Sequence, residues 1–190
     1  MDGERVFPIA WHVNYWDYLG WPDPLASPAY VDRQERYVDI FRTGMYTPEL
    51  VVSAEEERAS TTGSAVANHI DAVMANPVTV STTVWLDSEM DANPLVASYA
   101  VDGAPAGTEL WIVLVERAIV REIQGGENEG MTLTHENAAR TFATAMDPTE
   151  GTLEMDVPDG VVRENCSFIG FVQDPATLAL FGATDWHLTE

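Results

Sequence analysis

The sequence predicts an α+β protein in which a mixed βαββα half is followed by a mostly β half. Before Pro77, two segments carry apolar residues at helical spacing, between runs that are typical of buried strands. After Pro77, apolar and polar residues alternate in several short segments separated by Gly, Pro, Asn and Asp. Short strands at this spacing favour an antiparallel sandwich-like domain. The predicted domains are therefore 1–77 and 78–190.

Turn and cap residues place the elements of the first half. Ser27 is a good N-cap and Pro28 suits the first helical position, while Gly44 is a plausible helix stop. Thr47-Pro48 introduces a strand, since proline is tolerated at a strand's start. The predicted elements are a strand at 6–13, a helix from 28 to 44, a strand at 49–53, a weaker strand at 57–60 and a helix at 64–75.

Alternation and turn signals place the strands of the second half. Residues 78–86 alternate between apolar and polar side chains, as expected of a half-buried strand. The further predicted strands are 95–101, 109–116, 118–123, 152–157, 167–173 and 178–183.

Composition excludes several functional classes. The chain has 190 residues, with 31 acidic residues against nine basic ones, all of them Arg, and a formal net charge of −22. Such a chain lacks the clustered cations that nucleic acids or anionic membranes require, so no nucleic-acid partner is predicted. No apolar run is long enough to span a membrane. The acidity is typical of a chain from a saline habitat or from a GC-rich genome.

The single cysteine limits the redox and metal chemistry. With Cys166 alone, the chain can form neither an intrachain disulfide nor a cysteine-rich zinc site. Cys166 lies in a strand-like run, which favours a small buried hydrophobe over a reactive thiol. His12 with loop carboxylates is a weak metal pattern, so no metal and no cofactor are predicted.

Two long motifs resemble a bacterial family of predicted secreted proteins of unknown function. The first is H-V-x-Y-W-D-x-x-G-W-x-D-P, followed by R-Q-x-x-Y on a helix and by a Y-T-P strand start. The second is G-E-N-x-G-x-T-L-T-H-x-N-x-x-R. The matching residues are His12, Val13, Tyr15, Trp16, Asp17, Gly20, Trp21, Asp23, Pro24, Arg33, Gln34, Tyr37, Tyr46, Thr47, Pro48, Glu127, Asn128, Gly130, Thr132, Thr134, His135, Asn137 and Arg140.

The resemblance implies a thioredoxin-like first domain and a β-rich second domain. It also implies secretion or a periplasmic location, although the sequence as given carries no signal peptide. Family members usually have a Cys-x-x-Cys motif on a helix upstream of the first motif, and the sequence given starts after that point. The resemblance therefore implies an incomplete thioredoxin-like domain, without catalytic residues of its own.

The Thr47-Pro48 pair is the first candidate site. It resembles the cis-proline of thioredoxin-like folds, where an extended peptide or protein substrate would pair with the backbone, so a cis bond is predicted. The alternative is a trans proline that only opens a strand. His12, Trp16 and Asp17 complete the candidate substrate-binding set. For His12, a structural role in an aromatic loop is favoured over a metal ligand. Trp16 and Trp21 are predicted to be largely buried as packing anchors, and the alternative is a sugar- or peptide-stacking surface.

A polar, glycine-bearing segment is the second candidate. Glu127, Asn128, His135 and Asn137 are predicted to lie in an ordered loop between strands. His135 and Glu127 could form an acid–base pair, but no nucleophile motif accompanies them. A structural loop is the favoured interpretation, and a hydrolase is the third hypothesis for function.

Two functional hypotheses lead. The first is a thiol–disulfide redox protein of thioredoxin-like type, inactive in this chain because the cysteine pair is absent. The second is a non-catalytic extracytoplasmic binding or scaffold module. Whether the chain is an enzyme stays open, as do its substrate and its oligomeric state.

The resemblance also predicts a gap in the first domain. A central strand normally lies between the strands that match residues 6–13 and 49–53. Without that strand the two should lie roughly 10 Å apart, with unpaired backbone groups facing the gap. Direct pairing of the two segments would instead indicate a shortened, self-sufficient variant.

Overall fold

A computed structural model describes the backbone of residues 6–53, 56–59 and 62–189, and the side chains of all of these except 56–59. Two α-helices and eleven strands lie within these ranges. Helix α1 spans Pro28–Phe41 and helix α2 spans Gly63–Met74, with short 3-10 turns at Asp17–Leu19 and Arg163–Asn165. The strands are β1 Glu49–Val52, β2 Glu56–Ala59, β3 Ser81–Leu86, β4 Leu95–Asp102, β5 Glu109–Glu116, β6 Ile119–Glu122, β7 Thr132–His135, β8 Ala138–Met146, β9 Glu150–Met155, β10 Cys166–Gln173 and β11 Leu180–His187.

All paired strands run antiparallel and form four sheets. The largest sheet has the order β11-β10-β5-β8, and a second has the order β3-β4-β9. β1 and β2 form one two-stranded sheet, and β6 and β7 form another. The architecture is therefore α+β, as the sequence predicts, with the strands concentrated after α2.

The two larger sheets share one hydrophobic core. Leu110, Ile112 and Leu114 of β5 are fully buried and lie in the same cluster as Leu95 and Ala97 of β4. Alternate residues of a strand point to the same face, so this face of β5 is directed at the three-stranded sheet. The packing explains why the β-rich half forms two layers.

The other face of β5 is covered by the first half of the chain. Trp111 of β5 belongs to a second cluster with Tyr30 of α1 and Phe171 of β10, against which Phe7 and Trp11 pack. The rings of Trp11 and Tyr30 are 5.1 Å apart in an edge-on arrangement. Because both faces are covered, every residue of β5 is buried.

The start of the chain differs from the prediction. Residues 6–13 form no strand, and only an isolated parallel bridge joins Ala10 to Ala138. Pro8 lacks an N–H and is disfavoured inside a paired strand, a signal that the strand interpretation ignored. No described backbone hydrogen bond joins residues 6–13 to β1, so the two segments do not pair directly, as the gap interpretation predicts.

Two missed strands and one helix boundary are also corrected. β7 and β8 lie where no strand is predicted. The alanine-rich β8 has low intrinsic β-propensity and is held by pairing with β5, whereas β7 lies in the segment that is predicted to be a polar loop. Helix α1 ends at Phe41, since Arg42 and not Gly44 adopts the left-handed conformation (φ 56°). Among the other predicted strands, 109–116 matches β5 at both ends, and the rest are confirmed with shifted ends. Within the described residues, no helix combines the length and apolar character needed to cross a membrane.

Candidate ligand-binding cavity

A cavity of about 1090 Å³ lies between the N-terminal segment, the β1 strand, helix α2 and the large sheet. This volume slightly exceeds the range of about 300–1000 Å³ that small-molecule and cofactor sites occupy. Its lining comes from both predicted halves of the chain. We call this space the central cavity.

The walls of the central cavity are mainly apolar. Helix α2 contributes one face, whose apolar residues are half-buried and none of which is fully buried. β1 contributes the adjoining wall, and Ile169 and Phe171 of β10 lie opposite. The apolar residues of α2 that line the cavity are Val66, Ile70, Val73 and Met74.

The Thr47–Pro48 peptide bond is cis, so that prediction is confirmed. Thr47 and Pro48 line the central cavity together with Trp16 and Asp17. The Trp16 indole donates a hydrogen bond to the Thr47 hydroxyl at 2.9 Å. This bond joins the aromatic loop to the predicted cis-proline site, so the structure places four predicted site residues at one cavity.

The aromatic loop is less buried than predicted. Trp16 is 44% exposed, so its expected burial is wrong, while Trp21 is half-buried. Trp21 packs against Gly125, where an added Cβ would come within 3.1 Å of the Trp21 Cβ. A side chain at position 125 would require Trp21 to shift by a few tenths of an ångström, so glycine suits this close approach, which brings the segment that carries Glu127 next to the aromatic loop.

His12 forms a polar cluster at the cavity wall with Asp23 and His135. His12 Nδ1 and Asp23 Oδ2 lie 2.6 Å apart, and the His12 and His135 rings stand edge to face with centroids 4.9 Å apart. The Asp23 amide also donates to Asp17 Oδ1 at 3.2 Å. The two sequence motifs therefore meet in space, although they are more than 100 residues apart in the chain.

The pKa values of two members of this cluster, Asp23 and His135, are lowered. Burial opposes ionisation of Asp23, but hydrogen bonds from His12 and from the Leu25 amide outweigh it, and the Asp23 pKa is lowered. The pKa of His135 is lowered by burial and by the nearby His12, with Asp23 acting in the opposite direction. The arrangement favours a neutral His135 beside an ionised Asp23.

A second polar cluster, which the sequence interpretation missed, surrounds Gln34 of α1. Gln34 Nε2 donates to Glu49 Oε2 at 2.6 Å and to the Tyr46 carbonyl at 2.9 Å. Gln34 Oε1 and Glu49 Oε1 are buried and have no hydrogen-bond partner among the described residues. Burial raises the pKa of Glu49, and burial with the Glu49 charge raises that of Tyr15. The R-Q-x-x-Y and Y-T-P motifs were the signal that could have located this cluster.

The polar loop is only partly a loop. Glu127 and Asn128 are exposed at the rim of the central cavity, whereas His135 is the last residue of β7. Asn137 adopts a positive φ of 49° and its carbonyl accepts from the Ala10 amide at 2.9 Å. The structure places Asn137 outside the central cavity, and among the described residues no hydrogen bond or ion pair joins His135 to Glu127. The proposed acid–base partner of His135 is replaced by His12 and Asp23.

Cys166 lies away from the central cavity, in the core between the sheets. It is 1% exposed, and burial with the nearby Glu116 charge raises the pKa of its thiol to about 12. A thiol reacts as its thiolate, so this cysteine is unsuited to disulfide exchange. Across the part of the chain that the structure describes, no three His, Cys, Asp or Glu residues converge on a metal-binding geometry.

A family model described as "Protein of unknown function (DUF1223)" matches residues 1–173. Among solved structures, the chain is similar to protein AGR_C_4864 from Agrobacterium tumefaciens, with a TM-score of 0.66 and 20% identity over 96% of this chain and 80% of that one. At this identity the likeness concerns the fold.

A domain of the outer membrane lipoprotein Omp28 from Porphyromonas gingivalis also aligns. Its TM-score is 0.34 and its identity 14%, over 58% of this chain and 88% of that one. Among curated proteins, none matches this chain.

Proposed function

We propose a function for this chain, which belongs to the DUF1223 family of unknown function, from the structure of its central cavity. The proposal is that the chain is a binding module that accepts an extended peptide or protein segment in this cavity. It performs no thiol–disulfide exchange with its own cysteine. The observation that carries the proposal is a large, mostly apolar cavity bounded by strand β1, which is paired on one side only in the described residues.

An extended segment suits the backbone that faces the cavity. In an antiparallel pair, alternate backbone N–H and C=O groups of β1 point toward β2 and the others point away. The outward groups are available to a further strand, which is how peptides add to open sheet edges. The half-buried apolar face of α2 and residues Ile169 and Phe171 would contact side chains of that added strand.

The buried acceptors of the Gln34 cluster support the same ligand class. Gln34 Oε1 and Glu49 Oε1 are unpaired acceptors at the cavity. A buried acceptor without a donor costs about 1–3 kcal/mol, which a peptide N–H could recover on binding. His12, Trp16, Asp17, Thr47 and Pro48 are the proposed contacts at the polar end.

The motif resemblance supports a thioredoxin-like origin and an extracytoplasmic location. In this interpretation, α1, β1, β2 and α2 are part of a thioredoxin-like domain, and the two larger sheets form a β-sandwich. The Cys166 environment argues against redox turnover. In an insulin-reduction assay with dithiothreitol, we expect the chain to give only the uncatalysed rate, and clear turnover would refute this part.

A calorimetric titration tests peptide binding. The probe is an acetylated hexapeptide of sequence Thr-Val-Thr-Val-Thr-Leu with a free carboxyl terminus, which can form one short strand. Micromolar binding is expected for the wild type, and Ile70→Asp on the α2 wall should weaken it at least tenfold. Val120→Asp changes an exposed valine outside the cavity and is the matched control. The proposal would be refuted if the hexapeptide bound equally to the wild type and both variants, or to none of them.

A further inference from the structure

Arg33 of α1 is buried in a box of aromatic rings at the central cavity. Arg33 is only 8% exposed, and it lines the cavity. Its guanidinium carbon lies 4.9 Å from the ring centroids of both Trp11 and Tyr37. Trp111 and Phe171 follow at 5.2 Å and 5.6 Å. Arginine stacks well on aromatic faces, which explains how the side chain is held in one place.

Arg33 has no anionic partner among the described residues. Its Nε is buried without a hydrogen-bond partner, and no described carboxylate pairs with it. Two other arginines at this sheet have carboxylate partners, Arg36 with Glu109 and Arg140 with Glu116. Arg121 also has a buried Nε without a partner among the described residues, but it is half-buried, whereas Arg33 is 8% exposed and is surrounded by four aromatic rings.

The charge and the hydrogen-bond donors of Arg33 indicate which kind of ligand group would pair with it. A buried charge is costly unless it is paired and hydrogen-bonded, and ring contacts satisfy none of the guanidinium N–H donors. Arginine presents these donors as a planar fork that matches a carboxylate. A singly charged group suits the site better than a phosphate dianion, since Arg33 faces a chain of net charge −22.

We propose that Arg33 binds a carboxylate of the ligand, with Trp11, Tyr37, Trp111 and Phe171 contacting the carbon atoms beside it. This inference rests on the proposed function and narrows the ligand to a segment with an apolar body and one carboxylate. The carboxylate can belong to the peptide's C-terminus or to an acidic side chain.

Three forms of the hexapeptide probe test the inference by calorimetry. They are the free acid, the C-terminal amide, and an amide in which the last residue is Asp. The free acid should bind wild type at least tenfold more tightly than the plain amide. Tight binding of the Asp amide would assign the site to side-chain carboxylates, and weak binding would assign it to the C-terminus. Equal affinity of all three peptides would overturn the inference and leave the proposed function standing.

Variants of Arg33 test whether its charge and its planar set of donors cause the preference for the free acid. In Arg33→Met the preference for the acid should vanish, and in Arg33→Lys, which keeps the charge but lacks the fork, it should shrink. Arg42→Gln removes an exposed charge beyond the same helix and should keep the full preference. Thermal melts confirm that each variant is folded, and an undiminished preference in folded Arg33→Met or Arg33→Lys contradicts the inference.

A small-molecule probe distinguishes failure of the proposed peptide binding from failure of the Arg33 inference. 4-Phenylbutyrate and 4-phenylbutanol differ only in the carboxylate, and both can be followed by quenching of tryptophan fluorescence. If no peptide binds but phenylbutyrate binds wild type tenfold more tightly than the alcohol, and Arg33→Met loses the difference, the peptide function fails and the anion site stands. If acid and alcohol, like the peptides, bind equally or not at all, the Arg33 inference fails.

Discussion

At the scale of single residues, the buried thiol of Cys166 is unsuited to thiol–disulfide exchange. Its sulfur is buried between the sheets, with a pKa raised to about 12. We expect the folded protein to react with Ellman's reagent at pH 8 at least a hundredfold more slowly than the protein in denaturant. The measurement is the absorbance of the released thiolate. A rapid, stoichiometric reaction of the folded protein would contradict the burial of this thiol.

A second prediction at the residue scale concerns Asp23 and the pH dependence of the free energy of unfolding. Its pKa is lower in the folded state, so its carboxylate stabilises the fold above about pH 4, and this contribution is lost as the pH falls through the folded-state pKa. Asp23→Asn should lower the free energy of unfolding at pH 7 by about 1–3 kcal/mol and should flatten its decline in acid.

Urea denaturation at several pH values measures this effect. His135 acts in the same direction, because a lowered histidine pKa gives stability above about pH 6.5 that declines as the pH falls. Asp39→Asn on the exposed side of α1 is the control and should change neither the stability nor its pH profile. A steeper acid decline in Asp23→Asn would be incompatible with the assigned role.

Single residues of the site were partly predictable from the sequence. The motifs identified His12, Trp16, Asp17, Thr47 and Pro48, and the structure gathers all of them at one cavity. They did not identify Glu49, whose burial and bond to Gln34 depend on how α1 and β1 meet. The isolated charge of Arg33 was equally invisible, since only packing shows which arginines have carboxylate partners.

At the scale of elements, close packing between β11 and the residue before β3 depends on one glycine. A Cβ added at Gly182 would come within 2.3 Å of the Val80 carbonyl oxygen. Backbone cannot move aside cheaply, so Gly182→Ala should lower the free energy of unfolding by about 1–3 kcal/mol. Gly63→Ala is the matched control, because open space surrounds that position and alanine favours helices, so it should be neutral or stabilising by about 0.5–1 kcal/mol. Urea unfolding curves give both values, and equal losses would argue against the contact.

A buried ion pair joins β8 to β5. Arg140 pairs with Glu116, their side chains are 5% and 4% exposed, and Glu116 Oε1 also accepts from the Val162 amide at 3.0 Å. Arg140→Met leaves a buried carboxylate without its cation, so a loss of about 3–5 kcal/mol is expected. Adding Glu116→Gln removes the orphaned charge and should recover part of this loss. A double variant less stable than Arg140→Met alone would contradict this account.

Elements with strong local signals were predictable, and those made by tertiary pairing were not. α2 lies where the apolar spacing placed it, with Val66 and Ile70 on the cavity side. β8 escaped detection because its alanines carry little strand signal until β5 pairs with them. The segment 6–13 looked like a strand by composition, but among the described residues its backbone is fixed to a neighbouring strand only around Ala10.

For the whole molecule, charge is the dominant property. A net charge of −22 repels itself in the compact state, and salt screens that repulsion. We expect the melting temperature to rise by several degrees between 0.05 M and 1 M sodium chloride. Tetramethylammonium chloride, which screens equally but has a different specific cation, is the control. A melting temperature that falls with both salts would show that self-repulsion does not limit stability.

The domain division at 77 stays a prediction. The change in sequence pattern at that point is real, but Tyr30 of the first half packs with Trp111 and Phe171 of the second in one cluster. The central cavity likewise takes its walls from both halves. A sequence can indicate where its periodicity changes, whereas the surface that each half buries against the other depends on the folded arrangement.

The central claim is that an extended segment adds to β1 inside the central cavity. Hydrogen–deuterium exchange with and without a saturating amount of the free-acid hexapeptide tests it most directly. We predict slower exchange of backbone amides in Glu49–Val52 and in residues 7–10, with no change in the buried strand β5. Unchanged exchange along Glu49–Val52 while the peptide is bound would contradict the claim.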